Sequence, residues 1–300
     1  MKRFLGQIQE NVLLSRLTSW HVGGHASRYV QPVDLDDLSH YLKYHHDSSA
    51  IVWLGLGSNL LIRDGGIPST VIHTLNRLNA LEWQSADVYV QAGVPCAKFA
   101  KWCMREGLSG AEFLAGIPGT MGGALRMNAG AYGGETWDLV QKVQLLDRQG
   151  DLIWMDPQAL TVGYRSVEGF GECMFAGALL RLTQSTPEAI EDYTKKMLQK
   201  RNASQPIGSF NCGSVFRNVE GDYAGRLIEA SGLKGYSIGG AEISQKHANF
   251  IVNRGDATAH DIEQLIELIQ KTVLEKTGFS LYRECHILGE RIENVHEQTP

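Results

Sequence analysis

A mixed fold of the α+β or α/β kind is what this 300-residue chain predicts, on three observations. Helical and strand periodicities alternate irregularly along it, no internal repeat or low-complexity linker interrupts them, and two glycine-rich loops lie among short apolar runs. The composition is 43% hydrophobic and 20% charged, with a formal net charge of −5, that of a soluble globular chain of roughly two or three domains.

At the N-terminus, MKRFLGQIQENVLL carries Lys2 and Arg3, but Gln7, Gln9, Glu10 and Asn11 break any apolar stretch, so no signal peptide is expected. Asp34 and Asp37 begin a helix carrying Leu35, Leu38 and Leu42. Ile51-Val52-Trp53-Leu54 reads as a strand that runs into a glycine turn, and short strands are expected at Val71-Ile72-His73 and Val88-Tyr89-Val90. Pro95 opens a helix with Phe99, Trp102 and Cys103 on one face, stopped by Gly107. Lys195, Lys196, Lys200 and Arg201 lie in a helical pattern with Ile190, Tyr193 and Met197, which makes the basic cluster a solvated face. A third region starts near Ser204-Gln205-Pro206. There Asp222 is expected to cap a helix with Leu227 and Ile228 that ends at Gly232. Thr258 and Asp261 form a capping-box pattern ahead of Ile262, Leu265, Ile266, Ile269 and Val273, with Gly278 as the stop. Residues 281–288 read as a final strand.

Several functional classes are excluded as expectations. Basic residues are scattered, so nucleic acid is not an expected partner. No apolar run approaches the ~20 residues that span a bilayer, which points to a cytoplasmic protein. Cys96, Cys103, Cys173, Cys212 and Cys285 are odd in number and never form CxxC, so free thiols are expected. The ten histidines include the pair His45-His46, but no HExxH and no ligand-spaced Cys/His cluster, so no metal is expected.

The chemistry concentrates in a few segments. Residues 116–134, GIPGTMGGALRMNAGAYGG, hold seven glycines in nineteen positions, a backbone able to wrap an anion or simply a set of tight turns. GLGSNLLIRDGG at 55–66 follows the strand ending at Leu54 and sets Ser58 and Asn59 beside Gly55 and Gly57, which suits a diphosphate or a hairpin. It is neither a P-loop, since no Gly-Lys-Ser/Thr follows, nor GxGxxG, since Leu60 stands at the third glycine position. A flavin or nucleotide held outside a Rossmann frame is the combined reading. Val162-Gly163-Tyr164-Arg165-Ser166 sets an aromatic beside a guanidinium, fit for a carboxylate or for plain surface. Asn211-Cys212-Gly213-Ser214-Val215-Phe216-Arg217 surrounds one serine with small residues but lacks GxSxG, so it is an exposed hydroxyl or a turn, not a hydrolase elbow. Glu284 stands in the expected last strand on a face with Tyr282 and His286, where it needs a partner or a purpose.

These pieces, together with TSWHVGG at 18–24, GLSGAEFLAGIPGTMGGALRMNAGAYGGE at 107–135, Gly163-Tyr164-Arg165, CGSVFRN at 212–218, AGRLIEASGLKG at 224–235, HANFIVN at 247–253 and RECHILG, resemble the UDP-N-acetylenolpyruvoylglucosamine reductase family over most of the chain. The chain is similar to the shorter subtype, which lacks an inserted loop between Tyr164 and the Ser214 region.

The resemblance implies an α+β architecture. A two-part FAD-binding region of the vanillyl-alcohol-oxidase (PCMH) type at 1–73 and 74–203 is followed by a C-terminal α/β substrate-binding domain at 204–300. It implies non-covalent FAD held by Gly55, Gly57, Ser58, Asn59, Gly116, Ile117, Pro118, Gly119, Thr120, Gly122, Gly123, Asn128, Ala129 and Arg201. NADPH is implied as reductant, the small-molecule sugar nucleotide would be bound through Tyr164, Arg217, His247 and Asn249, and no metal is involved. A monomer is expected. Hydride would pass through FAD to the methylene carbon of the enol ether, with Arg165 and Glu284 stabilising the enolate and Ser214 protonating the α-carbon.

Two departures matter. Ser204 stands where many relatives carry lysine or threonine, with Arg201 nearby, and Asn218 follows Arg217 where proline or a basic residue is common, which leaves the diphosphate contact open. A flavin oxidase of the same fold and a nucleotide-binding regulator without turnover are the rival readings. The first would be seen by air oxidation of the reduced enzyme, and the second is dismissed by a yellow protein that bleaches with NADPH.

Overall fold

The structure is a computed structural model that describes residues 3–45 and 50–292. His46 of the histidine pair lies outside them. The chain folds into two compact units, each built from discontinuous segments. Unit 1 takes the N-terminal residues to Gln9, then Tyr29–Leu56 and Thr70–Ala203. Unit 2 takes Glu10–Arg28, Gly57–Ser69 and the chain from Ser204 onward.

Unit 1 is built on an antiparallel five-stranded sheet, in the order Leu152–Met155, Val140–Leu146, Met174–Leu180, Asp87–Gln91 and Leu81–Gln84. Its third strand is buried along most of its length, as a strand covered on both faces must be. A register irregularity between Gln144 and Leu145 shifts the alternation there. Phe175, Ala178 and Leu180 consequently join the core of Phe99, Leu114, Met121, Leu125 and Val143, whereas Met174 and Ala176 join that of Val30, Leu38, Tyr41 and Ile72. The expected strands are present as Ile51–Leu54, Ile67–His73 and Asp87–Gln91, and Ile51–Leu54 pairs in parallel with residues 70–73.

Helix α1 (Leu35–Tyr44) begins where Asp34 accepts the N–H of Asp37 at 2.8 Å, and it buries Leu35, Leu38, Tyr41 and Leu42. Helix α2 (Cys96–Arg105) follows Pro95 and buries Phe99, Ala100 and Cys103; Gly107 beyond it has φ +68°. Helix α3 (Met121–Arg126) lies inside the long glycine segment with Thr120 as its N-cap. Helix α4 (Pro187–Ser204) buries Ile190 and Met197, but Tyr193 is 53% exposed and is not part of the core face. Lys195 and Lys196 pair with Glu191 and Asp192 one turn back on a solvated face, but Arg201 of the same cluster is half-buried and departs from that expectation.

In unit 2 helix α5 (Ala224–Ala230) and helix α6 (Ala259–Thr277) accompany a small antiparallel sheet of Ser237–Ile238, Ala241–Ile243 and Ile251–Asn253. Both halves of the Thr258/Asp261 capping box form, Gly278 ends α6 at φ +75°, and the five apolar residues expected on its face are buried. Two expectations fail. Asp222 does not cap α5, because its carboxylate pairs with Arg226 on the next turn, and the N–H of Ala224 is taken instead by Asn218 Oδ1 at 3.2 Å. The last strand is only His286–Leu288, parallel to Leu60–Ile62, because residues 283–285 turn to the backbone of Val215-Phe216.

The second half of the 55–66 loop does structural work that the phosphate reading missed. Asp64 accepts the N–H groups of Ala259 and His260, both at 3.0 Å, a second cap on α6. Arg63 binds Glu263 with two hydrogen bonds, at 2.7 and 3.0 Å, and Arg291 adds a third at 2.9 Å. Glu263 is buried, and the Arg63 guanidinium is the main cause that draws its carboxyl down from 4.5 to about 2. A carboxyl depressed by folding contributes stability above its unfolded pKa, lost as pH falls through the folded value. Glu263→Gln is therefore expected to cost on the order of 3 kcal/mol at neutral pH. In urea titrations its gap to the parent should close between pH 5 and pH 2; a gap independent of pH would refute the account.

Candidate active site

In unit 1 the two glycine segments meet. A Cβ on Gly55 would lie 2.5 Å from Thr120 Oγ1, so Gly55 is the only residue type that lets the loop after Ile51–Leu54 lie against the start of α3. The strands Ile51–Leu54 and Leu60–Ile62 do not pair with each other, which removes the hairpin reading. The segment 119–122 is fastened to the entry of α2: Cys96 N donates to Gly119 O, Met121 N to Val94 O, and Gly122 N to Ala92 O. Gly122 is thus a packing glycine, its N–H spent and its bare face against Ala92, where a Cβ would sit 2.8 Å away. Gly123 is different. It is exposed, its N–H is taken by the Thr120 hydroxyl of the N-cap at 3.5 Å, and a Cβ there would meet only Thr120 Oγ1 at 3.9 Å, so what is open is its bare Cα face; Pro118 is also exposed, while Ile117 turns back to donate to Leu114 O.

Arg201 reaches this loop from the end of α4, its Nη1 3.0 Å from the Cβ position of Gly116. Burial lowers the pKa of this guanidinium and the nearby Tyr132 hydroxyl opposes that shift, so an anion placed here would restore the lost solvation. A bare glycine surface at Gly123 with a half-buried cation at the Gly116 edge fits the diphosphate of FAD.

The strands Thr161–Gly163 and Ser166–Glu168 form a hairpin whose tip is Tyr164-Arg165, with Arg165 at φ +54°. The guanidinium stacks over the Tyr164 ring at 4.9 Å and donates to Asn128 O at 3.2 Å and Gly130 O at 2.7 Å. Asn128, buried at φ +40°, donates to Gly163 O and Glu135 and accepts from Trp137 N. Ala129 O receives both the N–H and the hydroxyl of Thr136. Hairpin and glycine segment are thereby one clamp, with Arg165 and Tyr164 at its edge.

In unit 2 Ser214 and Glu284, both half-buried, lie on hydrogen-bonded neighbouring segments: Glu284 N donates to Val215 O at 2.8 Å, Arg217 N to Tyr282 O at 2.9 Å, and Phe216 bridges Arg283. Asn59 does not stand free beside the glycines. Its Nδ2 donates to Glu284 O at 3.1 Å and its carbonyl accepts from His286 N at 3.0 Å. Gly57, next to Ser58, has φ +68° and accepts from Ser19 N, against Leu17 and Thr18 of TSWHVGG. His247 sits against Gly225, its Nδ1 accepts Asn249 N–H at 3.2 Å, and burial followed by Lys234 lowers its pKa, favouring the neutral ring. Asn249, 4% exposed, binds backbone at both ends of its carboxamide, so its side chain serves the Ser214 segment rather than a ligand. Cys212 and Cys285 are buried close by, and all five cysteines are free thiols. Among the described residues no group of His, Cys, Asp and Glu could hold a metal ion, and no helix is long and apolar enough to cross a membrane.

The joined glycine loops, the bare surface at Gly123 and the guanidinium at Gly116 are those of an FAD-binding protein. Consistent with that class, a family model described as FAD binding domain matches residues 26–156, and one described as UDP-N-acetylenolpyruvoylglucosamine reductase, C-terminal domain, matches 205–288. UDP-N-acetylenolpyruvoylglucosamine reductases of Methylococcus capsulatus and Nitrosococcus oceani are 51% and 50% identical, over 94% and 95% of this chain and 93% and 96% of theirs. The crystal structure of UDP-N-acetylenolpyruvylglucosamine reductase from Thermus caldophilus matches with a TM-score of 0.82 at 32% identity, covering 95% of this chain and all of that one. The chain belongs to the UDP-N-acetylenolpyruvoylglucosamine reductase family. The expected α+β class, FAD cofactor and family are the ones found.

The contact between Gly55 and Thr120 makes a direct test of the cradle. Gly55→Val forces the loops apart and, at an overpacking cost of roughly 1–3 kcal/mol, should weaken FAD binding about ten- to hundredfold. Titration of the apoprotein with FAD reads this directly, and unchanged affinity would remove Gly55 from the flavin site.

Proposed function

We propose that this chain catalyses the reduction of the enolpyruvyl ether of UDP-N-acetylglucosamine enolpyruvate to UDP-N-acetylmuramate, with NADPH as reductant, in the supply of peptidoglycan precursors. The observation that carries this reading is the set Arg165, Ser214 and Glu284 in a chain half identical to reductases of that name, with Ser214 and Glu284 on adjoining backbone segments. FAD, bound without a covalent link by the residues assigned below, would supply a hydride carrier between NADPH and the methylene carbon of the enol ether.

The chain's own residues manage the charge and the proton. Addition of hydride to the methylene carbon breaks the C=C π bond and leaves an electron pair on the α-carbon, delocalised into its carboxylate. Arg165 offers charge-assisted hydrogen bonds to that enolate, and Glu284 polarises the other side. Ser214 donates its proton to the α-carbon, and solvent restores the hydroxyl. A serine is a weak acid that spares other bases, but toward a carbon base as strong as an enolate the transfer runs downhill.

Around this core we assign the diphosphate and ring of FAD to Gly55, Gly57, Ser58, Gly116, Ile117, Pro118, Gly119, Thr120, Gly123 and Arg201, with Asn128 and Ala129 shaping the loop. Tyr164, Arg217 and His247 are assigned to the sugar nucleotide. The working division is 1–73 and 74–203 for FAD and 204–300 for substrate, in a monomeric cytoplasmic enzyme. One assay tests the whole reading: NADPH consumption that depends on added UDP-N-acetylglucosamine enolpyruvate, with the flavin band followed alongside. Consumption independent of that substrate, with reoxidation by air alone, would favour an oxidase.

A further inference from the structure

We propose that Asn249 is a positioning residue for Ser214 and Glu284, its carboxamide acting in place of a backbone strand to fix the Ser214-Val215-Phe216 segment. The inference rests on the reading of Ser214 as proton donor. Phe216 N donates to Asn249 Oδ1 at 3.0 Å, Asn249 Nδ2 donates to Phe216 O at 2.8 Å, and Val215 N donates to Asn249 O at 2.9 Å. A primary carboxamide presents one donor and one acceptor in a plane, as a peptide group does, so this side chain completes a ladder that no strand supplies.

The row continues beyond Phe216. Val215 O accepts from Glu284 N at 2.8 Å, and Glu284 O accepts from Asn59 Nδ2 at 3.1 Å. Glu284 thus sits within one hydrogen-bonded row that ends in an asparagine side chain on either side, and Ser214 immediately precedes its Val215 member. Breaking the Asn249 end frees the serine segment while leaving the glycine cradle of unit 1 intact. Proton transfer to carbon depends on a donor held within a fraction of an ångström, so such loosening costs rate before it costs fold.

The decisive variant is Asn249→Asp, almost equal in size. While the introduced carboxyl is protonated it still donates to Phe216 O and accepts from Phe216 N; once ionised it turns an acceptor toward a carbonyl. Oxidation of the reduced flavin by the enolpyruvyl substrate should run within about threefold of the parent at the lowest pH at which both are folded. It should fall at least about tenfold relative to the parent as pH rises through the titration of that carboxyl. Flavin bleaching by NADPH and FAD affinity should follow the parent throughout. His247, whose Nδ1 accepts Asn249 N–H, is the titratable neighbour of this position in both proteins, and the ratio to the parent at each pH takes out the part of its titration that the two share.

A ratio flat with pH, or an equal fall in both half-reactions, overturns the inference. Ser214→Ala measured alongside separates its failure from that of the site itself. If that variant keeps the second half-reaction, the proton-donor reading falls; if it loses that half-reaction while Asn249→Asp tracks the parent, only the positioning role falls. Should the aspartate variant not fold, Asn249→Ser, with one hydroxyl toward Phe216, carries the test. At least about tenfold loss confined to the second half-reaction supports the role, and equal losses refute it.

Discussion

Ser214→Ala is expected to bleach with NADPH at the parent rate and then to return its electrons to the enolpyruvyl substrate about a thousandfold more slowly. General acid catalysis is commonly worth 10²–10⁴-fold, and here the acid is unusually hard to replace. The acceptor is carbon, so water can substitute only if it reaches the α-carbon in the right direction, and Ser214 is half-buried on a segment whose backbone is tied on both sides. Alanine removes one oxygen and leaves that backbone bonding untouched, so a fold-based explanation of the loss is weak. Stopped-flow traces of the two half-reactions check the asymmetry, and equal slowing of both would remove the serine from proton transfer. Glu284→Gln, which keeps the shape and one hydrogen-bond donor, should show the same asymmetry at a smaller magnitude.

Legibility in the sequence followed sequence distance. The start of α1 at Asp34, the capping box of α6 and its stop at Gly278 depend on residues within a turn of one another, and each is found as expected. Phe99 and Cys103 on α2 follow the same local period. What escaped depends on partners far along the chain. Asp64 caps a helix 195 residues away, Arg63 meets Glu263, and Asn249 pairs with a backbone 33 positions earlier; no local pattern encodes these. The expected cap at Asp222 failed because the helix starts one residue later, after Tyr223, and the Asp222 carboxylate takes the Tyr223 N–H and the Arg226 guanidinium instead of an N–H of the first turn. Within the glycine segment, composition alone could not separate Gly122, packed bare against Ala92, from Gly123, whose Cα face is exposed while its N–H caps onto Thr120. A polar asparagine in HANFIVN reads as a ligand contact, and only the fold reveals that both ends of its amide are spent on Phe216.

Arg165 is expected to show a mixed defect, and the mixture is informative. Its backbone at φ +54° is a conformation that side chains other than glycine and asparagine seldom adopt, so the fold accepts strain to place this guanidinium at the hairpin tip. Two of its N–H groups already hold the carbonyls of Asn128 and Gly130, and its plane lies over Tyr164. Arg165→Ala should therefore slow the second half-reaction by roughly a hundred- to a thousandfold through loss of enolate stabilisation. The same variant should weaken FAD binding by about tenfold or less, through two lost hydrogen bonds to the glycine segment worth about 1 kcal/mol each, partly replaced by water. Arg165→Lys sharpens the distinction. A single ammonium keeps the charge but cannot span both carbonyls or stack as a plane, so it should recover only part of the rate. If FAD affinity instead falls as far as the rate does in both variants, Arg165 is a brace for the glycine segment and the enolate is stabilised elsewhere. If the alanine variant keeps its FAD and loses only substrate-dependent reoxidation, the guanidinium acts on the developing charge.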